Sequence, residues 1–316
     1  MLKFLKIFLL FSFFINLNLY AQSFDLIPLG IYGGGDESNL SAYLIGEKDK
    51  NEFLSLDAGT LRAGINKAIE NQVFEENAEE VLRNYIKAYF ISHGHLDHLS
   101  GMIINSPDDS KKNIYALPFT IEILKNRYFT NDAWSNFANE GDQPILGTYT
   151  YRRKKDQEKF AIENTSLQAQ IFELSHINPY KSSAVLITNS VGESILYFGD
   201  TGADRVEKTD KLEKIWTEIS PLIKDKTLKA ILIETSFDSS RKEELLFGHL
   251  TPDLLNEELQ VLAKKANQKD LKNLKVIITH LKPGGNQIQK IKEEYQQKNP
   301  TKVEFIFPQQ GELMQL

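Results

Sequence analysis

The chain has no cysteine, only two tryptophans and three methionines, and six histidines in 316 residues. Without cysteine there can be no disulfide staple, no lipid-modified amino-terminal cysteine and no thiolate ligand for a metal. A large hydrophobic core must hold the fold, and a chain this long can supply one. Any metal site must use imidazole and carboxylate, which suits Zn²⁺ but also Mn²⁺ or Fe. Basic charge is also scarce: 37 Lys and Arg stand against 43 Asp and Glu. A protein that grips long nucleic acid usually carries a basic face, so this balance argues against that class. The run Arg152-Arg153-Lys154-Lys155 reads as a solvated loop or strand edge.

Residues 1–21 stand apart. Lys3 and Lys6 are their only charges, Ile7 to Ile15 is apolar apart from Ser12, and Ala21 offers a small residue for cleavage before Gln22. This is the pattern of a secretory signal peptide. The apolar core is short for a membrane span, and Asn16 and Asn18 interrupt the residues after it. We therefore expect cleavage, no stable membrane anchor and an exported protein, periplasmic or secreted. Removing Lys3 and Lys6 leaves 35 basic against 43 acidic residues, a formal charge of −8.

Residues 22–316 are expected to form a single α+β domain. Strands are read at Phe24 to Tyr32, Ser41 to Gly46, Glu52 to Leu56 and Ile86 to Ser92, with helices from about Leu61 to Asn71 and Glu75 to Tyr85. A short strand at Asn113 to Leu117 precedes a helix from Pro118 to Asn126. Residues 127–165 are polar and lack clear periodicity, and we read them as an insertion or lid. The β pattern then resumes at Gln168 to Leu174, Ala184 to Thr188 and Ser194 to Phe198. Helices are expected at Thr209 to Ile223, Thr251 to Lys265 and Gln287 to Gln297, between strands at Lys229 to Ile233, Lys275 to Ile278 and Val303 to Phe307. A β-rich stretch and then helices, twice over, predicts a four-layered sandwich with two sheets inside and helices outside.

The chemistry concentrates after Ile86 to Ser92, where the chain reads His93-Gly-His95-Leu-Asp97-His98. His93 and His95 are two apart and point to one side of an extended backbone. Asp97 and His98 come after the turn and can face a second point. That spacing suits two metal ions better than one. Four such groups in six residues at a buried strand end would be costly without a cation. The other three histidines lie at strand ends or in a turn-rich motif: His176 after Ile171 to Ser175, His280 after Val276 to Thr279, and His249 in Phe247-Gly-His-Leu-Thr251. Asp200 ends Ile195 to Gly199 in the same way. Strand ends that converge are where sites form in layered sheet proteins.

His-x-His-x-Asp-His, with separate His, Asp and His at later strand ends, resembles the metallo-β-lactamase superfamily. The longer stretch His93 to Pro107, with its Ser-Gly pair, aliphatic triplet and Ser-Pro, resembles the signature of class II cyclic-nucleotide phosphodiesterases. The resemblance implies an αββα fold and hydrolysis of 3′,5′-cyclic AMP or GMP to the 5′-nucleotide, with two divalent cations, most simply zinc, activating a water. It implies His93, His95 and His176 as ligands of one cation and Asp97, His98 and His280 of the other, with Asp200 bridging. Asp57, at an earlier strand end, would orient the His-rich turn. His249 would donate a proton to the leaving group, with Glu234 orienting it. Asn39 and Ser41, after Gly33-Gly34-Gly35, are candidates to contact the substrate, as are aromatics such as Tyr128, Phe129 and Trp134. A homodimer is what related folds suggest. The competing readings are another phosphodiesterase on this fold, such as an RNA 3′-end-processing hydrolase, or a non-catalytic exported metal- or nucleotide-binding protein.

Overall fold

Leu228–Glu234 shows why the chain builds layers. Ala230 and Leu232 face a core shared with a second sheet, while Ile231 and Ile233 face helices. A strand apolar on both faces needs cover on both. The computed structural model describes residues 23–316, so the expected signal peptide lies outside the described residues.

The first sheet takes β1 (Phe24–Gly30), β2 (Ala42–Glu47), β3 (Phe53–Leu56), β4 (Ile86–Phe90), β5 (Lys112–Ala116) and β6 (Tyr149–Arg153). The second takes β7 (Lys159–Ala161), β8 (Gln168–Ser175), β9 (Lys181–Thr188), β10 (Ser194–Phe198), β11 (Leu228–Glu234), β12 (Lys275–Thr279) and β13 (Glu304–Ile306). A last strand, β14 (Met314–Gln315), returns to pair with β1. The spatial orders are β14-β1-β2-β3-β4-β5-β6 and β13-β12-β11-β10-β9-β8-β7. Each sheet is antiparallel on one side and parallel on the other, the change falling at β3 in the first and β10 in the second.

Three apolar layers separate the four structural ones. Tyr43, Leu54, Phe90, Tyr197, Leu232 and Ile277 fill the space between the sheets. Trp216 of the helix Lys211–Lys224 and Leu259 of the helix Pro252–Ala266 cover the second sheet. Ile65 of the helix Arg62–Glu70, with Leu82, covers the first. Each fully buried aliphatic or aromatic side chain contributes about 1.5–3 kcal/mol, so the core meets the demand that the missing cysteine imposes.

The reading of residues 127–165 needs correction. This segment carries β6, which pairs with β5, and β7, which pairs with β8, so it forms an edge of each sheet. It is part of the sandwich rather than a detached lid. Phe129 lies in the core, and the Trp134 indole donates to Ser106 Oγ at 3.0 Å. The helical turns at Val81–Tyr85 and Leu124–Tyr128 are wider than an α-helix: Ile86 N bonds back five residues to Val81 O, and Phe129 N to Leu124 O.

The directions of the strands decide where function can lie. β8, β10, β11 and β12 end on one edge of their sheet, as β3 and β4 do on theirs. Asp57, Ser92, His176, Asp200, Glu234 and His280 fall at or just beyond those carboxyl ends. Open sheets of this kind bind ligands there.

Candidate metal centre

Folding brings all six histidines into one cluster. Ring centroids lie 4.6 Å apart for His93–His95, 4.2 Å for His93–His98, 4.9 Å for His176–His249 and 5.0 Å for both His98–His280 and His249–His280. Asp200 is at the centre. Its Oδ1 is 3.2 Å from His98 Nε2, and its Oδ2 is 3.2 Å from His280 Nε2, 3.7 Å from His93 Nε2 and 3.8 Å from His176 Nε2. Asp97 Oδ2 lies 3.3 Å from His280 Nε2. Donor atoms thus converge in two main groups, His93, His95, His176 with Asp200, and Asp97, His98 with His280. Asp200, His249 and His280 form a third.

The outer nitrogen of most rings is already tied. His98 Nδ1 lies 2.7 Å from Asp57 Oδ2, and His176 Nδ1 lies 2.9 Å from the Gly248 carbonyl. Ser92 Oγ donates to Asp57 Oδ2 at 2.7 Å, so its oxygen accepts from His93 Nδ1 at 3.0 Å. Ser236 Oγ donates to Glu234 Oε2 at 2.7 Å and accepts from His280 Nδ1 at 2.9 Å. In each case the hydrogen-bond network assigns the proton to Nδ1 and leaves the Nε2 lone pair facing inward. His93 Nε2, His98 Nε2 and Asp200 Oδ1 are buried without any hydrogen-bond partner. Orphaned polar atoms in a core are costly and rare. A ring of inward lone pairs and carboxylate oxygens, with no protein donor to satisfy them, fits a divalent cation.

Electrostatics agree with that fit at His93, His95, His176, Asp97 and Asp200 and run against it at His98, which must give up a proton to ligate. Burial, reinforced by neighbouring histidines, drives His93 and His95 toward the neutral form, His95 to about 4. Burial lowers His176 too. His98 moves up: burial resists its charge, but Asp200 and Asp57 outweigh burial. Burial also resists ionisation of Asp97 and Asp200, yet His98 and His280 hold both carboxyls well below the usual range. Imidazoles held neutral and carboxylates held ionised are the forms that ligate metal.

The local backbone explains the precision. Asp57 adopts φ 56 and accepts from Ser92 N at 2.7 Å and Tyr197 OH at 2.6 Å, besides Ser92 Oγ and His98. His280 sits at φ 53, and its ring packs against the glycine loop so closely that a Cβ on Gly33 would lie 2.1 Å from His280 Cε1. That close approach is why Gly33 must be glycine. The helix Pro252–Ala266 opens with Thr251 Oγ1 accepting from Leu254 N and with proline in its first turn, which anchors the segment carrying His249. His249 Nδ1 lies 2.8 Å from Glu234 Oε1. Glu234 is fully buried, and its carboxylate also accepts from Thr201 N at 3.0 Å.

Two residues expected to contact the substrate have protein partners. Asn39 Oδ1 accepts from Ile31 N at 3.0 Å within its own turn. Ser41 is buried beneath the site, where its hydroxyl meets Tyr197. The Ser41 hydroxyl is thereby committed, whereas the half-buried Asn39 is tied through Oδ1 alone. Of the three aromatics, Tyr128 alone reaches the site, its hydroxyl donating to the Gly94 carbonyl at 3.0 Å. Sequence reasoning missed Ser92, Ser236 and Tyr180. The serines adjoin strand ends beside residues already singled out, which is a usable signal. Tyr180 stacks on His95 at 4.9 Å with the rings 3° from parallel, and its hydroxyl accepts from Gly94 N. It comes just after an Asn-Pro turn and carries no pattern to announce it.

The family profile described as cAMP phosphodiesterases class-II matches residues 23–311. This chain belongs to that family. Relatives named 3′,5′-cyclic-nucleotide phosphodiesterases include one from Aliivibrio fischeri, 37% identical over 309 residues, covering 93% of each chain. One from Yersinia pestis, named a probable enzyme of this kind, is 37% identical over 323 residues, covering 98% of this chain and 94% of its own. The crystal structure of unliganded yeast PDE1 superposes with a TM-score of 0.81 at 22% identity, covering 93% of this chain and 99% of that one. A metallo-β-lactamase fold protein from Bacillus subtilis aligns at a TM-score of 0.62 and 15% identity, over 92% of this chain and 99% of its own. The fold is the α+β metallo-β-lactamase sandwich. Divalent metal binding goes with that fold, and the class II chain supplies the histidine and aspartate clusters for it.

Proposed function

We propose that this class II enzyme hydrolyses 3′,5′-cyclic nucleotides to 5′-nucleotides at a centre of two divalent cations. Family membership over nearly the whole described chain supports the substrate class. The observation that carries the metal reading is the set of buried, partnerless atoms His93 Nε2, His98 Nε2 and Asp200 Oδ1. His93, His95 and His176 would hold one cation and Asp97, His98 and His280 the other, with Asp200 between them. Zinc is our choice of metal, because the donors are imidazole and carboxylate only. When bound, the pair would neutralise the phosphodiester charge and lower the pKa of a water near neutral pH.

The chain's own residues supply the rest. Departure of the 3′ oxygen requires a proton, and His249 is placed to carry one. Glu234 occupies its Nδ1, which leaves Nε2 to give the proton up. Burial opposes the charged form of His249, but Glu234 and Asp200 outweigh burial and raise its pKa, which favours the protonated form. In His249, unlike His93, His98, His176 and His280, the nitrogen that lies toward Asp200, at 3.9 Å, is Nδ1, which Glu234 already occupies, so we read His249 as a proton carrier rather than a third ligand from the Asp200 and His280 group. Residues 1–21 would direct export to the periplasm, a reading that amino-terminal sequencing of the cell-fractionated protein checks by finding Gln22 first.

The deciding experiment is chromatography of products after the metal-loaded protein meets 3′,5′-cAMP, 3′,5′-cGMP and 2′,3′-cAMP in parallel. Chelator-sensitive conversion of the 3′,5′ compounds to 5′-nucleotides is the expected result. No turnover of any of them with metal bound would leave the fold standing and refute the activity.

A further inference from the structure

Two cations beside the cluster take no part in metal ligation or in proton transfer by His249. Lys282 lies two residues after His280, and Arg241 lies in the loop between β11 and the helix Pro252–Ala266. Lys282 Nζ donates to the Gly33 carbonyl at 2.9 Å, and Arg241 Nε donates to the Leu245 carbonyl at 2.7 Å. Among the described residues neither has a carboxylate partner. On an open surface that would mean nothing. Here both charges converge on one aromatic ring. The Arg241 guanidinium carbon lies 3.9 Å from the centroid of Phe237, and Lys282 Nζ lies 5.9 Å from the same centroid.

Phe237 is buried, with its ring 5.8 Å from that of His249. Two like charges around one ring, both half-buried, repel each other and are incompletely solvated. Cation–π attraction offsets part of that cost. A bound anion would offset more. The wider surface makes such a pair conspicuous, since the chain carries a net charge of −6.

We propose that Lys282 and Arg241 form an anion-binding arm that grips the phosphate of the nucleotide beside His249. The inference rests on the cyclic-nucleotide reading and adds to it. A cyclic diester carries one negative charge, whereas a 5′-monophosphate carries about 1.5 to 2 at pH 7. The arm therefore holds the product more tightly than the substrate, and it makes the enzyme sensitive to inhibition by its own product. Arg241 presents the terminal nitrogens of its planar fork, which match phosphate oxygens in pairs, and Lys282 adds a point charge with two unused protons.

The test uses the metal-loaded full enzyme and compares inhibition by 5′-AMP with inhibition by adenosine, which lacks the phosphate. Lys282→Ala and Arg241→Ala should each raise the inhibition constant for 5′-AMP about tenfold, as expected for losing one charge-assisted contact. Adenosine inhibition and metal content should stay the same, and Lys282→Arg should restore most of the 5′-AMP effect. Unchanged 5′-AMP inhibition in both alanine variants would overturn the proposal. So would an equal loss of adenosine inhibition, which would mark the residues as merely structural. If the wild type turns over no cyclic nucleotide, the activity reading fails on its own. Binding of inorganic phosphate, monitored by phosphorus NMR, then decides the arm: weaker binding in both alanine variants supports it, and unchanged binding refutes it.

Discussion

The two halves of the molecule build their shares of the centre in the same way and to different ends. In the first half, Asp57 ends β3 and holds His98 directly at 2.7 Å and His93 through Ser92. In the second, Glu234 ends β11 and holds His249 directly at 2.8 Å and His280 through Ser236. Each half therefore offers a buried carboxylate, a serine and two imidazoles. The difference lies in what the directly held ring faces. His98 turns an unpartnered Nε2 toward Asp200. His249 instead turns Nδ1, the nitrogen that Glu234 holds, toward Asp200 at 3.9 Å. The neighbouring carboxylates raise the pKa of both rings, so proton affinity does not separate them. On our proposal the first carboxylate serves a ligand and the second an acid.

That comparison can be broken at its centre first. Asp97→Ala removes a group with no substitute nearby, and turnover should fall below detection, with metal content measured alongside to show the loss of a ligand. His249→Ala should slow turnover by about 10²–10⁴-fold, the usual worth of a positioned acid, with metal content intact. Normal turnover in that variant would end its assignment as the proton carrier.

Asp57→Asn and Glu234→Gln then set the two carboxylates against each other. Asparagine tolerates the φ of 56 at position 57, so the backbone should hold. Asp57→Asn should weaken metal binding by about 10–100-fold, read by competition with a chelator. Glu234→Gln removes the charge that raises His249, so the alkaline limb of the pH–rate profile, where the acid loses its proton, should move to lower pH while metal affinity changes less. Equal effects of both on metal and on the pH profile would mean that the halves are functionally alike. Ser92→Ala and Ser236→Ala should act in the same directions but by smaller factors, because the carboxylates remain.

The smallest effect lies where the two halves are tied. Glu47, at the end of β2, accepts from Ser190 N at 2.6 Å in the turn between β9 and β10, and also pairs with Lys50. Burial resists its ionisation, but Lys50 and Ser190 outweigh burial and lower it from 4.5 to about 2. A carboxyl with a depressed folded pKa stabilises the fold above its unfolded value, and that support is lost as pH falls from about 4.5 toward 2. Glu47→Gln should therefore flatten the acid side of a stability curve measured by thermal unfolding between those limits and leave stability at pH 7 slightly reduced.

Much of this centre was legible because its ligands sit at strand ends that the sequence marks plainly. The apolar runs before His93, His176, Asp200 and His280 announce buried strands, and a polar residue at the end of such a run stands out. Asp57 and Glu234 were legible for the same reason. The limits are equally physical. Residues 127–165 looked like a lid because β6 and β7 are edge strands, and an edge strand need not be apolar on both faces. β14 is two residues long, too short to show any period. That Ser41 turns inward to Tyr197 was not legible, because proximity in sequence to a glycine loop says nothing about which way a side chain turns. Tyr180 was invisible because its value comes from stacking on a ring 85 residues earlier in the chain, at His95.

By itself the sequence determined which atoms could ligate a metal, since a chain without cysteine leaves only nitrogen and oxygen, and it determined that six histidines would gather at strand ends. Only the tertiary structure decided which nitrogen of His93, His98, His176, His249 and His280 is tied to a protein partner, which carboxylate holds which ring, and which two cations stand near His249 without a carboxylate. Ligand identity is a property of residue type and spacing, whereas tautomer, proton affinity and unpaired charge depend on neighbours that only the packing of the two sheets brings within a few ångströms.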